Sequence, residues 1–333
     1  MQDATPVAVA AIIGAGNMGR IHAAAYTNAG AKVVAVCDVD GAQAERLAAE
    51  LHATAYTSID EMMTHACPLM VSVCTPPSDH VATASAILRR GIPVLCEKPL
   101  AESVAGAQAI LAAAQEGRTV CMTGFCHRFH EPVRQIKDKL EAGEIGEPVL
   151  FRNRFAYHFQ GVGQTWFADR RVSGGGTLMD TSVHSLDLYR FLIGEISHVA
   201  AQLTTVTPGL SVEDNSVLLV NGPEGVPGII EASWTTPIGE SMLVIYGTKG
   251  NLAVDYAAGD FGIARIQRAG EPAPEELPRS AHKRFTAEVA HLIHCMNAGL
   301  EPTPNGHDGL RVLQVIEAAY HAQGQGGCAD VPA

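Results

Sequence analysis

Unbroken apolar runs alternate with helix-like stretches through the first 125 residues of the chain. Between the runs, as in residues 42–51 and 79–90, polar and apolar positions recur at helical spacing. A strand of a parallel sheet is covered by helices on both faces, so it is apolar at successive positions rather than at alternate ones. The pattern therefore predicts a doubly wound α/β domain. Its strands are expected at residues 6–13, 32–40, 69–77, 92–99 and 119–125.

The rhythm changes after residue 125. A helix is expected over 131–143 and a long strand over 147–159. Successive strands without helical crossovers favour an antiparallel sheet. These strand-like segments lie at 198–207, 214–221, 227–236, 241–248 and 251–256. The sequence thus predicts two domains, 1–125 and 126–333, and two closing helices, near 284–298 and 307–321, whose packing onto the first domain stays open.

Composition and charge narrow the function without identifying it. The 333 residues are 47% hydrophobic and 17% charged, which suits a well-buried globular protein of about two domains. A formal net charge of −12 gives no support for a nucleic-acid or membrane partner. No apolar stretch reaches the length of a transmembrane helix, and the N-terminus lacks the basic region of a signal peptide. Eight cysteines without a CxxC pair indicate reduced thiols and a cytoplasmic protein.

Residues 14–19, GAGNMG, have the form G-x-G-x-x-G between a strand and a helix, the context of a dinucleotide-binding motif. Gly14 permits the tight turn, Gly16 lets the backbone approach a pyrophosphate, and Gly19 allows close helix–strand packing. The helix N-terminus attracts the phosphates. A glycine turn without a ligand is the alternative. The residues assigned to cofactor binding here are Gly14, Gly16, Asn17, Met18 and Gly19.

Asp38 ends the second strand, about 20 residues after the glycine motif, where dinucleotide-binding domains place an acidic residue. A carboxylate there can accept hydrogen bonds from both hydroxyls of the adenosine ribose, and it would repel a 2′-phosphate. The sequence therefore favours NAD over NADP, and the nearest following arginine is Arg46. An ordinary turn aspartate is the alternative, because aspartate is common in turns.

Glu97, Lys98 and Pro99 follow a buried apolar run that is expected to end at Cys96. Doubly wound sheets bind ligands at the carboxyl ends of their strands, so Lys98 is expected beside a bound nicotinamide. Pro99 biases Lys98 toward an extended backbone and so fixes the direction of its side chain. A fixed ammonium can stabilise a developing alkoxide and share in its proton transfer, with Glu97 orienting or tuning it. An exposed Glu-Lys pair in a loop is the alternative.

Residues 173–187 hold a second group of candidates, where three glycines precede a helix. Asp180 and His184 are four residues apart and so share one helical face. Histidine is the usual general base near neutral pH, and a carboxylate on the same face can hold or charge it. Two alternatives stay open. Thr177 with Asp180 fits a capping box, and His184 fits a satisfied core histidine.

Together these residues resemble the Gfo/Idh/MocA oxidoreductases, a family named for glucose–fructose oxidoreductase and inositol dehydrogenase. The likeness covers nearly the whole chain, and its most specific part is the EKP motif combined with the D-x-x-x-H helix. The matching segments are 14–19, Asp38, Thr75-Pro76-Pro77 with His80, Glu97-Lys98-Pro99, Arg128-Phe129, 143–146, 174–176, Asp180, His184, Leu186-Asp187 and 306–310.

The resemblance implies a Rossmann domain followed by an α+β domain with an open, mostly antiparallel sheet. That sheet commonly forms the interface of homodimers or homotetramers. The resemblance also implies that Lys98 is the catalytic lysine, that His184 is the acid/base, and that Asp180 is its partner or a substrate ligand. The residues it implies along the cofactor are Thr75, Pro76, His80, Glu97 and Lys98.

Two positions depart from the common family pattern. Many members have glycine where this chain has Ser182, and we expect a small effect because serine fits a helix as well as glycine does. The position before Arg128 is often asparagine, whereas here it is His127. We expect His127 to bear on the substrate rather than on the chemistry.

Substrate contacts are expected on the strand and loop that precede the glycine-rich helix. Polar and aromatic side chains there, Arg152 and Arg154 included, suit the hydroxyls and faces of a sugar, and ordinary sheet-face residues are the alternative. No metal is expected, because His291, His294 and Cys295 have metal-like spacing but lie in an apolar helix with no fourth ligand in view. The substrate residues chosen are His127, Tyr157, His158 and Trp166.

The sequence therefore predicts an NAD-dependent dehydrogenase acting on a secondary alcohol or ketone of a sugar, sugar derivative or cyclitol. His184 would take the hydroxyl proton while hydride passes to the nicotinamide, and Lys98 would stabilise the alkoxide-like oxygen. One rival is a glycoside hydrolase of the same fold that uses NAD as a recycled oxidant. Another is a non-catalytic NAD or sugar sensor.

Overall fold

The computed structural model describes residues 8–258, 262–279 and 283–332. Within these ranges the chain forms two compact units. The first unit comprises the residues through 101, 105–126 and 284–310, and the second comprises 102–104, 127 through 283 and 311 onward. The two units therefore interleave along the chain, which a single boundary after residue 125 does not express.

A parallel sheet organises the first unit. Its six strands among the described residues are β1 (Val9–Ile13), β2 (Lys32–Cys37), β3 (Thr54–Tyr56), β4 (Met70–Val73), β5 (Val94–Glu97) and β6 (Cys121–Gly124). Their order is β3-β2-β1-β4-β5-β6, and each neighbouring pair is parallel. β4, β5 and β6 are buried at every position, as their unbroken apolar runs predicted. The order reverses between β1 and β4, and ligands bind at the carboxyl edge of such a switch point.

Helices connect these strands: α1 (Asn17–Asn28), α2 (Gly41–Leu51), α3 (Ile59–His65), α4 (Pro77–Leu88) and α5 (Val104–Gly117). Side chains cap two of their N-termini. Asp40 accepts a hydrogen bond from the Ala42 amide at 3.0 Å, and Ser58 accepts one from the Glu61 amide at 3.3 Å. Ser58 and Glu61 are three residues apart, the spacing of a capping box, and this hydrogen bond is its N-cap half.

A mixed sheet organises the second unit. Its nine strands in the described ranges are β7 (Pro148–His158), β8 (His198–Thr204), β9 (Asn215–Asn221), β10 (Gly228–Ser233), β11 (Thr235–Gly247), β12 (Gly250–Asp255), β13 (Ile263–Arg268), β14 (Glu275–Glu276) and β15 (Cys328–Asp330). Their order is β14-β13-β12-β11-β7-β10-β9-β8-β15. β7 and β10 pair in parallel, and the other neighbouring pairs are antiparallel. The two sheets confirm the predicted fold class, a doubly wound parallel domain followed by a domain with an open, mostly antiparallel sheet.

The remaining α-helices of the described chain are α6 (Glu131–Glu141), α7 (Arg170–Ser173), α8 (Val183–Leu192), α9 (Arg284–Ala298) and α10 (Gly306–Gln325). A π-helical turn, Leu178–Ser182, leads directly into α8. Across the part of the chain that the structure describes, no helix combines the length and the apolar character needed to cross a membrane.

The second sheet has one buried face and one exposed face. β9 alternates strictly, with Leu218 fully buried while Val217 and Leu219 are 46% and 58% exposed. Strand pairing places Glu231 of β10 opposite Val217, and Arg154 of β7 opposite Glu231, so these side chains share the exposed face. The exposed face thus mixes apolar side chains with ion pairs.

The sequence predicted the presence of most strands and helices more accurately than the residues at which they end. β5 ends at Glu97 rather than at Cys96, so Lys98 is the first residue after the strand. The strand expected over 227–236 is divided at Trp234 into β10 and β11. β14 and β15 were not predicted, because strands of two and three residues are too short to show an alternating pattern.

Residues 284–310 complete the packing of the first unit. α9 packs against α1, and the His22 ring centroid lies 6.2 Å from that of Phe285. At Gly309 a Cβ would lie 2.7 Å from Thr123 Oγ1 and 2.8 Å from Leu100 Cβ, so only glycine allows this close approach. The late segment is therefore part of the first unit's interior.

Candidate active site

The glycine motif forms the turn from β1 into α1. Gly14 has a φ of +93°, and a Cβ there would lie 2.6 Å from the carbonyl oxygen of Cys74. A Cβ on Gly19 would lie 1.9 Å from the carbonyl oxygen of Gly14. Gly16, in contrast, has no heavy atom of the described residues within 4 Å of its Cβ position. The packing of the turn thus requires glycine at 14 and 19, while Gly16 borders open space at the helix N-terminus.

The start of α1 is suited to hold a phosphate. Gly16 provides no side-chain cap, and the first helical turn contains no acidic residue, so its amide groups and the positive end of the helix dipole face outward. Thr75 lies beside this turn, and its Oγ1 is buried without a hydrogen-bond partner among the described residues. A buried hydroxyl left in this state is costly, which favours a polar ligand at this position. These features fit the diphosphate of a bound dinucleotide.

Asp38 directly follows β2, next to the glycine turn. Its Oδ2 accepts a hydrogen bond from the Ala15 amide at 2.6 Å, and its Oδ1 accepts one from the Asp40 amide at 2.8 Å. Each carboxylate oxygen keeps a further lone pair for another donor. Asp38 therefore organises the turn, as the alternative interpretation had it, and also presents a carboxylate at the glycine loop.

Lys98 lies at the carboxyl end of β5, the sheet edge that also carries the glycine turn and Asp38. Its peptide bond to Pro99 is cis, and its amide donates to Glu97 Oε2 at 3.1 Å. Glu97 is only 5% exposed. The alternative of an exposed Glu-Lys pair is therefore wrong, because the glutamate is buried beneath the lysine.

His80 connects the loop after β4 to the turn after β5. Its Nε2 lies 2.8 Å from the carbonyl oxygen of Thr75, and its Nδ1 lies 2.9 Å from that of Pro99. The ring is fully buried, and this burial lowers its pKa below 6.5 although the two carbonyl groups act in the opposite direction. His80 thus supports two loops of the predicted cofactor site. Direct cofactor contact by His80 and Pro76 stays a prediction.

The three glycines 174–176 allow a buried carboxylate to approach the start of the next helix. Glu213 Oε1 accepts hydrogen bonds from the Gly176 amide at 2.9 Å and from the Tyr320 hydroxyl at 3.0 Å. A Cβ at Gly175 would lie 1.9 Å from Tyr320 Oη, and one at Gly176 would lie 1.7 Å from the carbonyl oxygen of Glu213. Glu213 therefore caps the helical segment that carries the two candidate catalytic residues.

A short chain of hydrogen bonds orients Asp180. Thr181 Oγ1 donates to Asp180 Oδ2 at 3.1 Å and accepts from Trp234 Nε1 at 3.0 Å.

The capping-box alternative for Asp180 is wrong. Thr177 already has helical backbone angles, and its hydroxyl makes no hydrogen bond with the residues that the structure describes. Two residues later, Ser182 Oγ lies 2.9 Å from Ser216 Oγ, which gives the serine at this position a buried partner.

His184 belongs to a cluster of aromatic rings in the second unit. Its ring centroid lies 4.6 Å from that of His127, which lies 5.1 Å from Phe155 and 5.4 Å from Tyr256. His127 is 8% exposed, whereas His184 is intermediate in exposure. The core-histidine description therefore fits His127 better than His184. The unusual residue before Arg128 lies directly against the candidate base.

The predicted substrate residues Tyr157, His158 and Trp166 lie at or just beyond the end of β7. Tyr157 is 39% exposed, and its hydroxyl lies 3.4 Å from Thr181 Oγ1. Trp166 is also 39% exposed, and it stacks on Phe167 with ring centroids 3.8 Å apart. His158 is exposed. The two aromatic residues thus present ring surface to solvent, as contact with a sugar requires.

Arg152 and Arg154 lie elsewhere on the same strand. Their side chains point to the exposed face of the second sheet, where both pair with Glu231. Asn153 between them faces the interior. The ordinary sheet-face alternative therefore describes these two arginines.

Arg128 and Asp187 form a buried ion pair. Arg128 Nε lies 2.9 Å from Asp187 Oδ2, and its Nη2 lies 2.6 Å from Oδ1, so two parallel bonds form. The side chains are 8% and 1% exposed. The pair joins the turn that carries His127 to the helix that carries His184.

We expect Asp187→Asn to lower the free energy of unfolding by about 3–5 kcal/mol, because it removes the carboxylate charge that pairs with the buried Arg128 guanidinium. Urea unfolding followed by circular dichroism measures the change. The matched control is Glu116→Gln, which breaks an ion pair with Arg89 whose side chains are 58% and 52% exposed. That change should cost less than about 1 kcal/mol. Equal losses in the two variants would show that burial adds nothing to the Arg128 pair.

The metal-like group in α9 makes ordinary packing contacts. His291 Nε2 accepts a hydrogen bond from the Thr303 amide at 3.1 Å and lies 3.5 Å from Cys295 Sγ. His294 is exposed on the same helix. These contacts support the packing interpretation of the spacing.

A cavity of about 1090 Å³ lies at the amino ends of the strands of the first sheet, opposite the candidate site. Pro93 and Thr119 contribute to its lining, and they precede β5 and β6. The cavity therefore borders the amino ends of the strands, while the glycine turn, Asp38 and Lys98 lie at the carboxyl ends. Because doubly wound sheets bind ligands at their carboxyl ends, the cavity is not part of the candidate site.

Several contributors to the site left no signal in the sequence. Thr181 was passed over between Asp180 and His184, and Trp234 lies 53 positions further along the chain. Glu213 lies in a loop with no motif around it. Only the folded sheet brings these residues to the helix, so sequence spacing could not have identified them.

Comparison with known families matches most of the chain. Residues 9–125 match GFO_IDH_MocA, described as an oxidoreductase family with an NAD-binding Rossmann fold. Residues 133–253 match the GFO/IDH/MocA C-terminal domain. The two matched segments contain both groups of candidate catalytic residues.

Individual relatives extend this likeness. The chain is 27% identical over 330 residues to an inositol 2-dehydrogenase of Rhizobium meliloti, covering 93% of this chain and 95% of the relative. It is 26% identical over 339 residues to a D-apiose dehydrogenase of Paraburkholderia graminis, covering 95% and 88%. Its fold is similar to that of a levoglucosan dehydrogenase solved with NADH and levoglucosan, with a TM-score of 0.91, 22% identity and coverage of 98% and 99%.

Proposed function

Because the chain belongs to the Gfo/Idh/MocA family of NAD-binding oxidoreductases, we propose that it is an NAD-dependent dehydrogenase for a secondary alcohol of a sugar, sugar derivative or cyclitol. The observation that carries the proposal is the position of Lys98. It directly follows β5, at the sheet edge that also holds the glycine turn and Asp38. A cation at the carboxyl ends of the strands, where doubly wound sheets bind dinucleotides, supports this role.

The proposed roles follow from the chemistry of each side chain. A bound nicotinamide supplies the hydride acceptor. Lys98 stabilises negative charge on the carbinol oxygen, and His184 accepts the hydroxyl proton. Asp180, oriented by Thr181 and Trp234, either favours the protonated imidazole of His184 or binds a substrate hydroxyl. The same groups act in reverse when a ketone is reduced.

NAD is the proposed cofactor rather than NADP. The Asp38 carboxylate lies at the glycine loop, where it can accept hydrogen bonds from ribose hydroxyls and would repel a 2′-phosphate. Asp38→Ala is expected to lower kcat/KM with NAD about 10- to 100-fold, the effect of losing hydrogen bonds to a charged group. It should also raise the ratio of the NADP rate to the NAD rate. Initial rates with each cofactor at saturating substrate measure both changes.

Asp40→Asn is the matched control for Asp38. Asp40 is an exposed carboxylate two residues further on, and asparagine retains its cap on α2. The control should leave the cofactor preference unchanged. A wild-type protein that turns over only with NADP would contradict the proposed role of Asp38.

A polyhydroxy substrate is proposed on two grounds. Tyr157 and Trp166 expose aromatic surface in the second unit, which suits the apolar faces of a sugar ring. The inositol 2-dehydrogenase and the D-apiose dehydrogenase to which the chain is similar are named for a cyclitol and for a sugar.

A homodimer or homotetramer formed through the second sheet is also proposed, since its exposed face carries Val217 and Leu219.

The proposal is tested by mixing the purified protein with NAD, or separately with NADP, and a panel of aldoses, uronates, amino sugars and inositols. Absorbance of the reduced nicotinamide should rise with NAD and one group of substrates. Sugar release from aryl glycosides without net NADH would instead indicate a redox-assisted hydrolase. NAD binding without turnover of any compound would favour a sensor.

A further inference from the structure

A buried polar network lies beneath the Lys98 turn, entirely within the first unit. The fully buried His22 ring on α1 has its Nε2 2.8 Å from Glu97 Oε1 and its Nδ1 3.1 Å from Ser72 Oγ. Ser72 Oγ in turn lies 3.0 Å from the Tyr26 hydroxyl. The second oxygen of Glu97 accepts the Lys98 amide at 3.1 Å. Hydrogen bonds therefore run from α1 across the sheet to the backbone of Lys98.

The sheet is shaped to hold this network. Ser72 lies in β4 and Glu97 ends β5, two strands that are otherwise apolar and buried at every position. Gly124 on the adjacent strand leaves room for the carboxylate, since a Cβ there would lie 3.2 Å from Glu97 Oε1. Apolar residues would fill the same space without the cost of burying a carboxylate and an imidazole. Packing alone therefore does not account for the network.

The surroundings of His22 and Glu97 favour a protonated imidazole and an ionised carboxylate. Burial by itself would lower the pKa of His22, but Cys74 and the Glu97 carboxylate more than offset this, and the net pKa lies well above 6.5. Burial would likewise raise the pKa of Glu97, but His22 and Lys98 hold it below 4.5. Burial raises the pKa of the Cys74 thiol, and the carboxyl groups of Glu97 and of the buried Glu288 in α9 raise it further.

We propose that His22 is a positioning residue for Lys98. It holds one oxygen of Glu97, the other oxygen holds the Lys98 amide, and the backbone from which the lysine side chain leaves is thereby fixed. This inference rests on the proposed function in one respect, namely that Lys98 takes part in the reaction. It adds that α1, whose N-terminus is suited to bind phosphate, is linked by the same network to the catalytic lysine.

The pH range in which His22 and Glu97 form an ion pair follows from the shifts of their two pKa values. The stabilisation from His22 is present at low pH and is lost as the pH rises through its raised pKa. The stabilisation from Glu97 is present at high pH and is lost as the pH falls through its lowered pKa. The ion pair is therefore intact through the neutral range.

The kinetic test compares His22→Ala and His22→Gln with a matched surface control, His65→Gln, in α3. His22→Ala should lower kcat about 100-fold, the cost of a displaced catalytic group, while Kd for NAD and KM change little. His22→Gln should retain more activity, because its amide can still donate to Glu97. Without the positive charge, however, Glu97 takes up a proton at higher pH, so kcat should fall on the acid side at a higher pH than in the wild type. His65→Gln should match the wild type.

A double variant separates positioning from simple loss of stability. His22→Gln with Glu97→Gln restores a neutral hydrogen-bonded pair, so its kcat should be higher than the product of the two single effects predicts. A lower Tm with wild-type kcat and pH profile in the folded His22 variants would overturn the proposal. Strict additivity of the two glutamine substitutions would also overturn it. If His22→Ala fails to fold, His22→Gln carries the test.

A measurement without turnover distinguishes this proposal from the proposed function. The chain has six lysines, few enough that reductive ¹³C-methylation gives resolved NMR signals, and Lys98→Met assigns the signal of Lys98. The Lys98 signal should shift in His22→Gln and stay in place in His65→Gln. If the Lys98 signal stays in place in both variants, the positioning role is refuted whatever the substrate. If it shifts but no polyol is turned over, the proposed function fails while the network remains.

Discussion

Replacing Lys98 with methionine is expected to lower kcat for alcohol oxidation about 10²–10³-fold, the usual cost of removing a group that stabilises an oxyanion. Methionine keeps the length of the side chain and removes its charge. The glycine turn, the start of α1 and Asp38 are unchanged, so Kd for NAD measured by fluorescence titration should stay close to the wild-type value. The loss should appear in kcat and kcat/KM together, because the lysine acts on charge that develops in the transition state.

Lys32→Met is the matched control for this variant. Lys32 is exposed at the start of β2, in the same unit, and loses the same charge. Its kinetics should equal those of the wild type. Turnover of Lys98→Met within a few-fold of the wild type would remove Lys98 from the proposed chemistry, and equal losses in both variants would point to a general effect of charge.

Replacing His184 with asparagine is expected to lower kcat about 10²–10⁴-fold, the range for loss of a general base. Asparagine can hydrogen-bond but cannot accept the hydroxyl proton near neutral pH. In the wild type, oxidation should weaken as the pH falls, since a protonated imidazole cannot act as base. The variant should lose this acid limb. Stopped-flow and steady-state rates across the pH range measure both effects.

His198→Asn is the control for His184. His198 is exposed on β8, in the same unit, and faces Asp330. Its removal should leave both rate and pH profile unchanged. A His184 variant that keeps the acid limb would assign that titration to another group and contradict the proposed base.

The first sheet was predictable because its chemistry is local. The runs within 69–77 and 92–99 are mostly apolar at successive positions, as is typical of strands covered on both faces. The glycine motif could also be identified from the sequence. Its requirement for glycine at 14 and 19 comes from atoms a few positions away and from the adjacent strand. The helix over 284–298 was predicted with both of its ends.

Long-range contacts could not be predicted in the same way. The parallel pairing of β7 with β10 joins segments about 80 residues apart, and nothing in either strand specifies the direction of its neighbour. Thr177 and Asp180 have the spacing of a capping box, but Glu213 caps that helix instead. The sequence left open whether Glu97 was half of an exposed pair, because its histidine partner, His22, lies 75 positions earlier.

The return of residues 284–310 to the first unit bears on how members of this family can be recombined. A fragment ending at residue 126 would lack α9, so the face of α1 that packs against α9 would be exposed to solvent. Exchanging the cofactor-binding unit between two such enzymes therefore requires the transfer of three stretches of chain, with crossovers on both sides of α9. A sequence change in that late segment is also in a position to alter cofactor affinity, through the helix whose first turn is suited to hold the phosphates.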